Sequence, residues 1–116
     1  MSIEVYKEGF ENAKWLISEG RFVDDKGNWD EINPGTQEED AFIREHGVAA
    51  YAKWHLGVKE GGSREDKTTY SFPYGDFKNV HRSALMAAEE RAKQYSHFAI
   101  RDAAVELISQ LDEAAK

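Results

Sequence analysis

The sequence contains no cysteine. That removes disulfides, thiolate metal sites and thiol nucleophiles together, and it fits a cytoplasmic protein. Only two prolines are present, Pro34 and Pro73. No apolar run approaches the ~18 residues of a membrane span, so no membrane partner is expected. The first fourteen residues are polar and acidic, unlike a secretory signal. Catalytic signatures are also missing. No His-x-x-His or His-x-x-x-His spacing exists; His46, His55, His81 and His97 are scattered, so no metal is assigned. There is no Gly-x-Ser-x-Gly elbow, so Ser71, His81 and Asp76 make no nucleophilic triad by pattern. Glu60-Gly61-Gly62-Ser63 lacks the phosphate-loop spacing. No catalytic residue and no cofactor is assigned, and the enzyme question stays open, weighted towards a non-enzyme.

What remains is a chain of 116 residues with a formal charge of −7 and a mean hydropathy of −0.72. This is the size of one domain, 1–116. Charge is unevenly placed. Residues 1–50 carry 5 basic and 12 acidic side chains. Residues 77–101 carry five basic ones against Glu89 and Glu90. Net charge disfavours bulk nucleic acid and anionic membranes. Arg82, Arg91 and Lys93 either pair with the acidic half or form a local anion site.

Periodicity gives the elements. Tyr6, Phe10, Ala13 and Ile17 form one apolar stripe, predicting a helix over 3–19 closed by Gly20. Gly9 inside it is out of place. Residues 21–30 read as two short extended pieces around a turn. After the Asn33-Pro34-Gly35 turn, Thr36-x-x-Glu39 reads as a capping box, and a helix over 37–46 ends at Gly47. Residues 50–58 alternate with period two, which predicts a strand, with a helical continuation as the competitor. A polar loop and a second alternating run, 67–72, complete an antiparallel hairpin ended by Pro73. Asp76 is the expected N-cap of a helix over 77–94, whose alanines suggest close packing. Ser96 is the expected cap of a helix over 97–114, with Ile100, Ala104, Leu107, Ile108 and Leu111 buried. The expected fold is therefore α+β: about four helices on a small antiparallel sheet, with the hairpin 50–58/67–72 at its centre and a helical hairpin at the C-terminus.

Aromatics, glycines and ionisable groups concentrate between residues 54 and 82. The tentative ligand-binding set is His55, Gly57, Tyr74, Asp76, His81 and Arg82, at the junction of the second strand and the following helix. Asp76, His81 and Arg82 can surround a small anion. The competing reading is structural: Asp76 caps, Gly57 and Gly75 allow tight backbone, and the aromatics fill the core. Trp15, Trp29 and Trp54 are core or interface anchors.

The run Tyr51-Ala52-Lys53-Trp54-His55-Leu56-Gly57, with Tyr70, Phe72-Pro73-Tyr74-Gly75-Asp76-Phe77 and His81-Arg82, resembles a family of small bacterial proteins of unknown function. The likeness covers nearly the whole chain, and a looser one reaches short prophage-associated domains. Neither implies an activity or a catalytic residue.

Three functions follow as expectations. The leading one is a non-enzymatic binding or interaction module with an unknown protein partner, which predicts an exposed apolar patch carrying Trp29 or Tyr74. The second is a protein for a small molecule or small anionic ligand. It predicts a pocket faced by His55 and His81, with shifted histidine pKa values. The third, a nucleic-acid accessory, needs Lys78, Arg82, Lys93 and Arg101 on one open face.

Overall fold

A computed structural model of the protein describes residues 2–116. The chain folds as an α+β domain. Strand β1 (Ile3–Val5) leads into helix α1 (Lys7–Ser18) and strand β2 (Phe22–Val23). Helices α2 (Trp29–Ile32), α3 (Thr36–His46) and α4 (Val48–Ala52) follow. Strands β3 (His55–Lys59), β4 (Tyr70–Pro73) and β5 (Val80–His81) precede the long helices α5 (Arg82–Gln94) and α6 (Phe98–Ala114). β3 is the centre of a three-stranded antiparallel sheet in the order β1-β3-β4, and β2 pairs in parallel with β5. No helix among the described residues is long and apolar enough to cross a membrane.

The core joins the sheet to the three longest helices. Leu16 and Ile17 of α1, Leu56 of β3, Leu85 of α5, and Ile100, Leu107 and Leu111 of α6 are all at most 2% exposed. These last three residues are the stripe that helical spacing predicts for α6. Gly9 now has its reason. A Cβ there would lie 1.8 Å from the carbonyl oxygen of His55. Only a residue without a side chain lets α1 lie this close to β3.

Several boundaries correct the sequence reading. The helix expected over 3–19 starts at Lys7, because Ile3, Glu4 and Val5 pair with Lys59, Val58 and Gly57. The open edge of β3 outweighs the local helical stripe. The strand expected over 50–58 splits: residues 48–52 are helical and only 55–59 are extended. The Ala-rich run takes the competing helical course after Gly47, whose φ of +89° ends α3. The second strand begins at Tyr70, since Lys67–Thr69 form a single 3-10 turn capped by the Asp66 carboxylate. The capping box at α3 falls one residue earlier. Glu38 accepts from the Gly35 amide at 2.9 Å, and Gly35 has no side chain to return the bond.

The junction before α5 changes most. Residues 77–81 are not helical. The Asp76 carboxylate accepts from the amides of Lys78 and Asn79 at 3.0 and 2.8 Å, which closes a turn rather than capping a helix. Asp25, far away in sequence, caps α5 instead by accepting from the Ser83 amide at 2.9 Å. Ser96 does not cap α6. With φ of +62° it ends α5, while the His97 amide returns to the Ala92 carbonyl at 2.7 Å.

Candidate functional site

His81 sits between two carboxylates. Its Nδ1 lies 2.9 Å from Asp25 and its Nε2 2.9 Å from Asp76. Asp25 also accepts from the Ser83 hydroxyl at 2.8 Å. The Trp29 ring packs on the imidazole at 5.2 Å. Burial opposes charge on His81, but its hydrogen bonds to Asp25 and Asp76 outweigh it and hold its pKa above the ordinary value. Burial equally opposes charge on Asp25, where His81 and Ser83 prevail and hold the carboxyl low. On Asp76, too, burial is overcome, by the Asn79 and Lys78 amides and by His81. The imidazolium donates from both nitrogens. It therefore has no lone pair for a metal or for base catalysis. The cluster ties the loop after β2 to the start of α5.

The other residues of the sequence-derived set are dispersed. His55 is 3% exposed and its Nδ1 faces the Tyr51 carbonyl at 2.9 Å. Burial pushes its pKa down to about 4, so the ring is neutral at pH 7. Gly57 lies opposite Ser71 in the hairpin, where a Cβ would meet the Ser71 hydroxyl at 2.7 Å and the Phe72 ring at 2.8 Å. Tyr74 is fully buried; its hydroxyl donates to the Lys53 carbonyl at 2.5 Å and accepts from Asn12 at 2.8 Å. Desolvation pushes the Tyr74 pKa up. Arg82 points to the helical hairpin, with both Nε and a terminal nitrogen on Asp112 at 2.8 and 3.2 Å.

Of the six residues, only Asp76 and His81 share a side-chain hydrogen bond, and the His81 amide also donates to the Tyr74 carbonyl at 3.0 Å. His55 and His81 are both shifted, in opposite directions. They do not share a cavity. His55 lines one of about 260 Å³ with Thr36, Glu39, Gly75 and Phe77, and His81 is not on its wall. Trp29 and Tyr74, expected on an exposed apolar patch, are 5% and 0% exposed. Arg101, expected on a basic face, is engaged with Asp102 at 2.8 Å, as Arg82 is with Asp112.

A larger cleft of about 310 Å³ opens beside the same junction. Ser71, Phe72 and Pro73 of β4 form one wall and Trp29 of α2 another; Ala84, Ala87 and Ala88 of α5 form the floor. These alanines recur at helical spacing, so one face of α5 is small along the cleft. Arg91, one turn further, lies at the cleft with Asp30 and Asn33. It makes no ion pair among the described residues. Sequence reasoning saw the alanines as a packing face but gave the cleft no part in a site. Asp25 left no signal at all, because one acidic residue in a polar turn looks like any other.

β4 is an edge strand of the three-stranded sheet. Pro73 has no amide hydrogen, so opposite His55 it can occupy only a pair without mutual hydrogen bonds. The Tyr74 amide donates to the Trp54 carbonyl at 3.2 Å, as that register requires. That register does not run on to Ser71, because Phe72 has a φ of +60°; Val58 turns its backbone groups to Glu4 of β1, so Gly57 turns its own to Ser71, and the Ser71 amide and carbonyl face β3. The Ser71 hydroxyl is buried and has no hydrogen-bond partner among the described residues.

No family model matches the chain, and no curated protein and no solved structure matches it.

Proposed function

We propose that this protein is a non-enzymatic interaction module, and that its binding surface is the cleft between β4 and α5. The observation that carries this reading is how the polar groups are used. At the junction, Asp25, His81 and Asp76 saturate one another, Tyr74 is bonded inside the core, and Arg82 is held by Asp112. The cleft beside them is concave and apolar-walled, with Arg91 free at its rim. Groups that could transfer a proton are spent on structure, while a surface that could hold an apolar group is open.

The test is an amide NMR titration with a library of small apolar and zwitterionic fragments, repeated on Ala87→Trp, which fills the cleft from the helix side. Shifts confined to Trp29, Ser71, Phe72 and residues 84–91, and lost in the variant, are the expected result. Shifts elsewhere, or shifts that survive the filled cleft, sink the reading.

A second reading, a small-molecule site, draws on His55. Its Nδ1 is satisfied by Tyr51, and in the neutral ring Nε2 is an acceptor. The cavity it lines with Thr36 and Glu39 would favour an uncharged hydrogen-bond donor over an anion.

A further inference from the structure

We infer that the cavity beside His55 is a binding site for a small uncharged planar heterocycle, one whose edge carries an N–H donor next to a carbonyl, as the edge of a nucleobase does. The inference rests on the small-molecule reading of His55 and names its ligand; the cleft is a separate surface.

Three observations lead to it. The first is a spare acceptor. His55 is 3% exposed. Its Nδ1 faces the Tyr51 carbonyl at 2.9 Å. A carbonyl only accepts, so Nδ1 carries the ring proton and Nε2 the lone pair. Nε2 makes no hydrogen bond among the described residues, yet it is not sealed in the core. Only the Ser71 hydroxyl is both unpartnered and closed to solvent there. Nε2 therefore meets the cavity that His55 lines. A buried acceptor left without a partner calls for a donor.

The second is the set of polar groups around it. Glu39 is a second acceptor on the wall, with Lys67 at 3.7 Å. Donors come from the first turn of α3. Thr36 has a hydroxyl, and its amide has no carbonyl to meet within the helix. Acceptors and donors on one wall match an edge that donates and accepts side by side. A lactam edge, N–H beside C=O, does both without a net charge. An anion would face the Glu39 carboxylate with no arginine or lysine among the lining residues. A cation would compete with Lys67 for Glu39.

The third is shape and size. Trp29, Phe77, Pro34 and Pro73 supply much of the wall. Rings of this kind pack well on a planar ligand. The volume is about 260 Å³. Drug-sized cavities begin at about 300 Å³, so the ligand is one ring or two fused rings.

The experiment titrates the full chain with uracil and hypoxanthine. Two controls are dimethyluracil, in which both N–H groups are methylated, and orotate, which adds a carboxylate to uracil. Amide NMR shifts locate each probe, and nitrogen NMR follows the His55 ring. Uracil and hypoxanthine should shift Thr36, Glu39, Gly75 and Phe77, and should move the Nε2 resonance as it accepts a hydrogen bond. Dimethyluracil should bind about tenfold more weakly, the size of one hydrogen bond to a buried group. Orotate should not gain on uracil. Binding should survive Ala87→Trp, which fills the cleft. It should be lost in Thr36→Phe, which crowds the cavity from an exposed position; the same spectra verify that both variants fold. Dimethyluracil binding as well as uracil, or an Nε2 resonance that stays in place, overturns His55 as the acceptor. Tighter binding of orotate overturns the uncharged ligand. Probes displaced by Ala87→Trp sit in the cleft and overturn the site. If the small fragments shift these residues and no heterocycle does, the ligand class is wrong and the cavity stands. If nothing enters the cavity, the small-molecule reading falls with it.

Discussion

Asp25 and His81 are 56 positions apart in the sequence and 2.9 Å apart in the structure. The same carboxylate accepts from the Ser83 amide and hydroxyl. One side chain thus fixes the imidazole and ends the unsatisfied first turn of α5.

Replacing Asp25 with Ala should therefore cost more than a surface charge. It removes a helix cap, worth about 1 kcal/mol, and a charge-assisted bond to a part-buried imidazolium, worth about 2 kcal/mol. We expect a combined loss of about 3 kcal/mol in urea unfolding. A loss under about 1 kcal/mol would mean that the cluster is solvated and contributes little.

Buried His55 and part-buried His81 should give stability opposite pH slopes. His81 has a raised pKa. Its contribution is complete below the ordinary value of 6.5 and is lost as pH rises through the raised one. His55 is held neutral, with its pKa pushed from 6.5 to about 4. The unfolded chain takes up that proton first, so stability falls as pH drops from 6.5 towards 4, by up to about 3 kcal/mol. Stability should peak near pH 6.5. His81→Gln should flatten the alkaline side of the curve and His55→Gln the acid side. Asp25 and Asp76, both lowered, add a further loss below their ordinary value of 3.8. Thermal melts across pH check this. A single slope, or one that either variant leaves unchanged, contradicts the assignment.

Gly9→Ala adds one methyl group and should still damage the fold. The new carbon would overlap the His55 carbonyl at 1.8 Å, and a backbone atom in the central strand cannot move aside. Helix propensity gains about 1 kcal/mol. The forced separation of α1 from β3 costs more, about 3 kcal/mol. A net loss of about 2 kcal/mol in chemical denaturation is expected, and a gain would show that α1 can shift freely.

Arg82→Ala provides the contrast. Its pair with Asp112 is bidentate, but Asp112 is 46% exposed. We expect a change under about 1 kcal/mol that shrinks further in high salt. An effect as large as that of Asp25→Ala would place Arg82 in the structural centre.

Much of the fold was legible because periodicity and punctuation are local. The α6 stripe, the Gly20 stop, the turn at Pro34 and the existence of an antiparallel hairpin all follow from neighbouring residues. Gly20 has φ of +75°, and the Arg21 amide returns to Leu16, as a glycine-ended helix requires. The errors lie where a distant partner decides. β1 is extended because β3 offers an edge, and Asp25 caps α5 from the other half of the chain. Asp76 looks like a cap by type and position, and it does accept two amides, but those of a turn. The crowding of ionisable groups between 54 and 82 was visible, as were the alanines of α5. The cleft was not, because it is a gap between β4 and α5 that exists only once the sheet and the helical hairpin are packed.

The placement of β1 has a consequence during synthesis. Its partner strand ends at Lys59, so β1 leaves the ribosome well before the strand that pairs it and waits unpaired in between. Helix α1 waits longer, since Gln110 of α6 donates to its Lys14 carbonyl at 3.0 Å. Throughout this delay residues 1–50 carry 12 acidic side chains against 5 basic ones. Mutual repulsion keeps such unfinished chains apart on a polysome. The acidic surplus of residues 1–50 thus acts before the native structure exists, as a guard on an apolar segment whose cover is still being translated.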